Sequence, residues 1–171
     1  MHSKNYIHGD VKPLNICESN GRFELIDFDA SVRFKPEKDA EYAGTKYSSA
    51  YLPPEMIVMD SETKTLSVSS KNVKADPKMD VWAFGCVLYQ LCSGASLFRA
   101  TNEDNLVGDL QVLHNWGKDT TKGDQDFLIR LEEIKGNGED EMTARGARHL
   151  VSQFFGMLSR QVSRHAHLLC N

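Results

Sequence analysis

Cysteine is scarce in this chain, and none of Cys17, Cys86, Cys92 and Cys170 stands in a C-x-x-C spacing. A zinc ribbon or a disulfide framework is therefore not written into the sequence. Reduced thiols are expected instead, in a cytoplasmic or nuclear protein or in the intracellular part of a larger one. The tail residues His165, His167 and Cys170 lack a fourth ligand and the usual zinc spacing. The N-terminus carries no basic-then-apolar signal pattern, and the longest apolar run, near Val81 to Leu91, is too short to cross a bilayer. Basic excess is also missing. With 20 Lys and Arg against 24 Asp and Glu, the net charge of −4 argues against a nucleic-acid partner. No Asp or Glu follows Glu141, while Arg145, Arg148, Arg160 and Arg164 remain; a solvated helix face and one structural ion pair account for them.

What is present suffices for one domain: 171 residues, 40% of them hydrophobic, can bury a sizeable core. The stretch His8-Gly9-Asp10-Val11-Lys12-Pro13-Leu14-Asn15 reads as a loop, because Pro13 biases Lys12 away from helix and Gly9 admits dihedrals closed to other residues. Such a loop can gather a carboxylate (Asp10), an ammonium (Lys12) and a carboxamide (Asn15). A proton acceptor, a cation for anionic oxygens and a metal-binding oxygen are the parts phosphoryl transfer needs. Strands are expected at Leu14–Cys17 and Phe23–Ile26 around Asn20-Gly21, the strongest two-residue hairpin signal. That hairpin would bring Asn15 and Asp27 together. Residues 30–51 read as a long polar loop, and residues 60–74 as a polar, linker-like insertion rich in Ser and Thr. Asp76-Pro77 offers a cap and first helical position for a helix over Asp80–Cys92, apolar on nearly every side and ended by Gly94. Leu106, Leu110 and Leu113 predict a helix within residues 102–116, with Thr101 and Asp104 as a capping pair. Phe127–Ile134 is a short apolar segment, and Leu150, Phe154, Phe155 and Leu158 predict an amphipathic helix.

The octapeptide resembles the protein-kinase catalytic loop H-R-D-L-K-P-x-N, and Asp27-Phe28-Asp29 resembles the D-F-G magnesium motif. Leu52-Pro53-Pro54-Glu55 is similar to A-P-E, and Asp80-Val81-Trp82-Ala83-Phe84-Gly85 to the D-V-W-S-F-G opening of the family's central helix. Four motifs in family order identify the chain as a member of the eukaryotic-type serine/threonine kinases. The implied fold is mainly α with a small β-hairpin (α+β), a kinase-like C-lobe over residues 1–171. The implied chemistry is transfer from ATP, held with Mg2+, to Ser or Thr hydroxyls of a protein substrate. Carried over by position, Asp10 and Lys12 are catalytic, and Asn15 and Asp27 bind the metal and the nucleotide phosphates. Residues 27–55 form the activation segment, in which Ser48, or Thr45 of the Gly44-Thr45 pair, bonds the catalytic Asp and Lys. His8 and Asp80 are structural, Asp80 holding the catalytic loop, and Glu55 pairs with Arg164.

Three departures from the family pattern carry expectations. Gly9 stands where the family has an Arg that docks an activation-loop phosphate, so activity is expected to be independent of that phosphorylation. Asp29 replaces a Gly and adds negative charge beside the metal site. No Gly-rich loop, V-A-I-K lysine or partner Glu helix precedes His8. The chain on its own is therefore expected to bind ATP weakly and transfer little. The alternative is a pseudokinase or a lobe-only interaction module.

Overall fold

A computed structural model describes residues 1–34, 46–69, 73–101, 106, 108–116, 129–132, 134 and 143–155. The element about which the others pack is helix α1, Pro77–Ser93. Its limits follow from local chemistry. The Asp76 carboxylate accepts the Lys78 N–H at 2.8 Å, Pro77 occupies the first turn, where its missing N–H costs nothing, and Gly94 closes the end with a left-handed φ of 76°. Eight of its residues are buried, from Met79 to Tyr89. Trp82 stacks on Phe98 and meets Trp116 and Phe155 edge-on, with centroids 5.2 to 6.0 Å apart. One indole thus joins α1 to residues 97–98, to the end of helix α2 (Leu110–Asn115) and to the helical residues 143–155. Gly85 permits that last contact, since a Cβ there would lie 2.6 Å from the Phe154 ring.

The strands form small antiparallel pairs, three among the described residues. β1 (Tyr6–Ile7) pairs with β4 (Val32–Arg33), and β2 (Ile16–Ser19) with β3 (Arg22–Leu25). Asn20 and Gly21 both have positive φ, 53° and 72°, as the two-residue hairpin turn requires. The expected strand limits shift because Pro13–Asn15 makes a single 3-10 turn before β2 starts. The expected fold class holds, a helical core with small sheets, but two local readings change. The polar insertion is no plain linker. β5 (Ile57–Met59) and β6 (Leu66–Val68) pair in register Ile57↔Val68, Val58↔Ser67 and Met59↔Leu66. The Asp60 carboxylate sets the turn between them by accepting the N–H groups of Thr63 (2.7 Å) and Glu62 (2.9 Å), bonds that also lower its pKa. Helix α2 is shorter than predicted, because Leu106 sits in a β-bridge with Ala100 and Asp109 takes the position before the first turn. Asp104 of the expected capping pair lies outside the described residues.

Cys17, Cys86 and Cys92 are free thiols; burial pushes Cys86 far above the ordinary thiol range. Among the described residues no helix is long and apolar enough to cross a membrane.

Trp82→Ala is expected to cost about 3–5 kcal/mol, the range for emptying a large aromatic site in a core. Urea denaturation measures it. A loss below about 1 kcal/mol would mean that the Trp82 cluster is not the joint between α1 and its neighbours.

Candidate active site

The first turn of α1 turns one carboxylate toward the loop at residues 8–15. Asp80 Oδ2 accepts the His8 N–H at 2.8 Å, and Oδ1 accepts the Gly9 N–H at 2.9 Å. Bonds to an ionised acceptor are worth about 1.5–3 kcal/mol each. Two successive amides held by one carboxylate fix both the position and the orientation of the loop. Asp80, the residue expected to hold the loop, contacts it directly. His2 adds a bond that the sequence did not signal, Nε2 to Asp80 Oδ2 at 2.7 Å.

His8 is fully buried and makes the next link. Its Nε2 lies 3.0 Å from the Ile26 carbonyl, an acceptor, while its Nδ1 lies 3.3 Å from the Asp10 N–H, a donor. Only the tautomer with the proton on Nε2 satisfies both. One ring thereby ties the backbone of Asp10 to the segment that leads into Asp27. Gly9 is required between them. It has a φ of 81°, and a Cβ added there would lie 2.5 Å from the Ala30 carbonyl oxygen.

Beyond Gly9 the charged groups converge. Lys12 Nζ lies 2.7 Å from Asp10 Oδ2 and donates to Ser48 Oγ at 2.8 Å. Asn15 Nδ2 donates to the Asp10 carbonyl at 2.9 Å and to Asp10 Oδ2 at 3.2 Å. Of the two hydroxyls open in the sequence reading, Ser48 accepts from Lys12, and Thr45 lies outside the described residues. The two oxygens of Asp10 differ. Oδ2 is shared by Lys12 and Asn15, whereas Oδ1 is buried and accepts no hydrogen bond from the described residues. Because both acceptors face the Asn15 amide nitrogen, its carbonyl Oδ1 must point away from Asp10.

Asp27 follows the hairpin and is tied to the loop through the backbone of its neighbour Ile26. The Ile26 N–H donates to the Asn15 carbonyl at 2.9 Å, extending the β2–β3 ladder by one bond. Asp27 follows in the left-handed region with a φ of 62°, its Oδ1 accepting the Asp29 N–H at 3.4 Å. Asp29 is exposed and pairs at 2.8 Å with the equally exposed Lys46, a contact with no sequence signature. That hydrogen bond lowers the Asp29 pKa and raises that of Lys46.

Among the described residues no three His, Cys, Asp or Glu side chains gather as metal ligands. Of the two hard oxygen donors expected to face a metal, the Asn15 carboxamide is buried and the Asp27 carboxylate is exposed. Glu55 is the middle residue of the turn Pro54–Met56 and is exposed among the described residues. Arg164, its expected partner, lies outside the described residues.

A family model, the protein kinase domain, matches residues 1–155. The serine/threonine-protein kinase PKH1 of Saccharomyces cerevisiae is 34% identical over 105 residues, 60% of this chain and 13% of that protein. Human 3-phosphoinositide-dependent protein kinase 1 is 32% identical over 105 residues, 60% of this chain and 16% of its own length. The dual specificity protein kinase TTK of Mus musculus is 27% identical over 119 residues, 67% of this chain and 13% of its own.

Gly9→Ala is expected to lower stability by about 2 kcal/mol, since the left-handed conformation alone costs an alanine roughly 1–2 kcal/mol and the Ala30 carbonyl leaves no room. Urea denaturation reads the change. An unmoved midpoint would mean that the loop slides freely past Ala30 and is not clamped by Asp80.

Proposed function

The chain belongs to the protein kinase family, and on that premise we propose that residues 8–15, 27 and 48 form the phosphate- and metal-facing side of a serine/threonine kinase site. The observation that carries the reading is the convergence of Lys12, Asn15 and Ser48 about the Asp10 carboxylate. Lys12 Nζ lies 2.7 Å from Asp10 Oδ2 and Asn15 Nδ2 donates to it, which fixes beside Ser48 the carboxylate that would accept or orient the proton of a substrate hydroxyl. Lys12, between Asp10 and Ser48, is placed to offset charge on the phosphoryl group as it leaves ATP. Asn15 Oδ1 and Asp27 would hold Mg2+, which neutralises the phosphate oxygens when bound. Serine/threonine specificity is supported by Lys12 in the loop and Ser48 opposite it, and by the name of the yeast relative. Docking of an activation-loop phosphate beside Asp10 has no cation to use at Gly9, so activity is proposed to be independent of it. The substrate is a protein, and free thiols suit a reducing cytoplasmic or nuclear setting, or the intracellular part of a larger protein.

The test reads nucleotide binding before turnover. Calorimetric titration with ATP is expected to give binding that requires Mg2+. Asn15→Ala and Asp27→Ala should each weaken it about 10- to 100-fold, the usual cost of disturbing a metal site. Asp10→Asn should leave binding in place and abolish whatever phosphate transfer to a protein substrate the chain supports. Binding that ignores Mg2+ and both substitutions would sink the enzyme reading and leave a pseudokinase or an interaction module.

A further inference from the structure

Lys46 and Asp29 are charged groups beside the site that the proposed mechanism does not use. Asp29 lies on the 3-10 turn Phe28–Ala30, two residues after Asp27, where the family pattern has a glycine with no side chain to make a contact. Lys46 lies two residues before Ser48, and its Nζ donates to Asp29 Oδ2 at 2.8 Å. Ser48 Oγ in turn accepts from Lys12 Nζ at 2.8 Å. The chain is extended at Ser48, with φ −110° and ψ 120°, and alternate side chains of an extended chain share a face. One face of residues 46–48 thus grips two separate parts of the site, the loop at residues 8–15 through Ser48 and the turn after Asp27 through Lys46. The chain is also held where it leaves that turn. Ser31 Oγ donates to the His8 carbonyl at 3.4 Å, and β4 pairs with β1. The Lys46 and Asp29 side chains are 65% and 73% exposed, so the pair is weak by itself. Its leverage comes from its place: it closes a span of 17 residues within two residues of the Ser48 bond, so each tie lowers the chain entropy that the other must overcome.

We propose that the Lys46–Asp29 pair is a phosphate-free tie: Lys46 is a positioning residue that holds the chain leading into Ser48 against the turn after Asp27, so that Ser48 stays on Lys12. Gly9 offers no cation on which a phosphate could dock, and here two side chains of the chain itself supply both charges of the contact. Because those charges are opposite, the acid gained at position 29 adds no net charge beside Asp27. What the tie serves rests on the kinase reading, but its existence does not, and the experiment separates the two because it needs no nucleotide and no turnover.

The test is amide hydrogen exchange followed by NMR on the unphosphorylated full chain, comparing wild type, Lys46→Glu, Asp29→Lys, the double variant that carries both, and Lys46→Arg. In each single charge reversal, exchange at the Ser48 and Ser49 amides is expected to speed up about two- to fivefold, the scale of one exposed ion pair, while the Tyr89 amide inside α1 keeps its rate. The double variant exchanges the two charges and should recover the wild-type rates, and Lys46→Arg should keep them. Three results would overturn the proposal: unchanged exchange at Ser48 and Ser49 in both single variants, a double variant that exchanges as fast as either single one, or a rise of equal size at Tyr89. Recovery in the double variant without Mg2+-dependent ATP binding keeps the tie and removes the kinase reading. Mg2+-dependent binding with no recovery removes the tie alone.

Discussion

A carboxylate on the first turn of a buried helix gripping two consecutive loop amides is the interaction on which the rest of the site depends. Loops of this composition have many conformations, and each ordered residue costs about 1–2 kcal/mol of backbone entropy. Asp80 offsets that cost where it matters. Its bonds to His8 and Gly9 transfer the rigidity of α1, which is itself fixed through Trp82 to three other segments, into the chain just before Asp10. His8 then carries the constraint onward, with one ring nitrogen on the Asp10 amide and the other on the Ile26 carbonyl.

The same constraint explains why opposite charges can sit so close with little exposure. Asp10 and Lys12 retain only 14% and 24% of their side-chain surface, a placement that would be costly for either alone. Lys12 has a second acceptor in Ser48, and Asp10 a second donor in Asn15, so both charges are bonded beyond their mutual contact. One oxygen of Asp10 is left over. A buried acceptor without a hydrogen bond costs roughly 1–3 kcal/mol, so the bonds on the other oxygen carry the placement of this carboxylate.

Much of this was legible in the sequence, and the failures have physical causes. Helix α1 was readable because its signals are local: Asp76, Pro77 and Gly94 act within a residue or two of themselves. The grouping of Asp10, Lys12 and Asn15 was readable for the same reason, since one Pro-stiffened loop carries all three. Asp60–Lys74 was read as a linker, yet the Asp60 carboxylate gathers the next residues into a turn and lets Leu66–Val68 pair with Ile57–Met59; alternation was too short to show it. Helix α2 was overextended because Asp109 is occupied by Arg99 and Arg130, partners that periodicity does not reveal. His2 and Lys46 were missed altogether. Their partners, Asp80 and Asp29, lie far along the chain, and neither residue stands in a motif.

The amide NMR spectrum of an Asp80→Ala variant, set against that of the unaltered chain, tests the central claim most directly. The account requires the resonances of residues 8–15 to shift or broaden while those of Val87 and Tyr89, deep in α1, stay where they were. An unchanged set of loop resonances would contradict it, and so would a spectrum in which helix and loop change together, because Asp80 would then serve the fold at large and not the placement of Asp10.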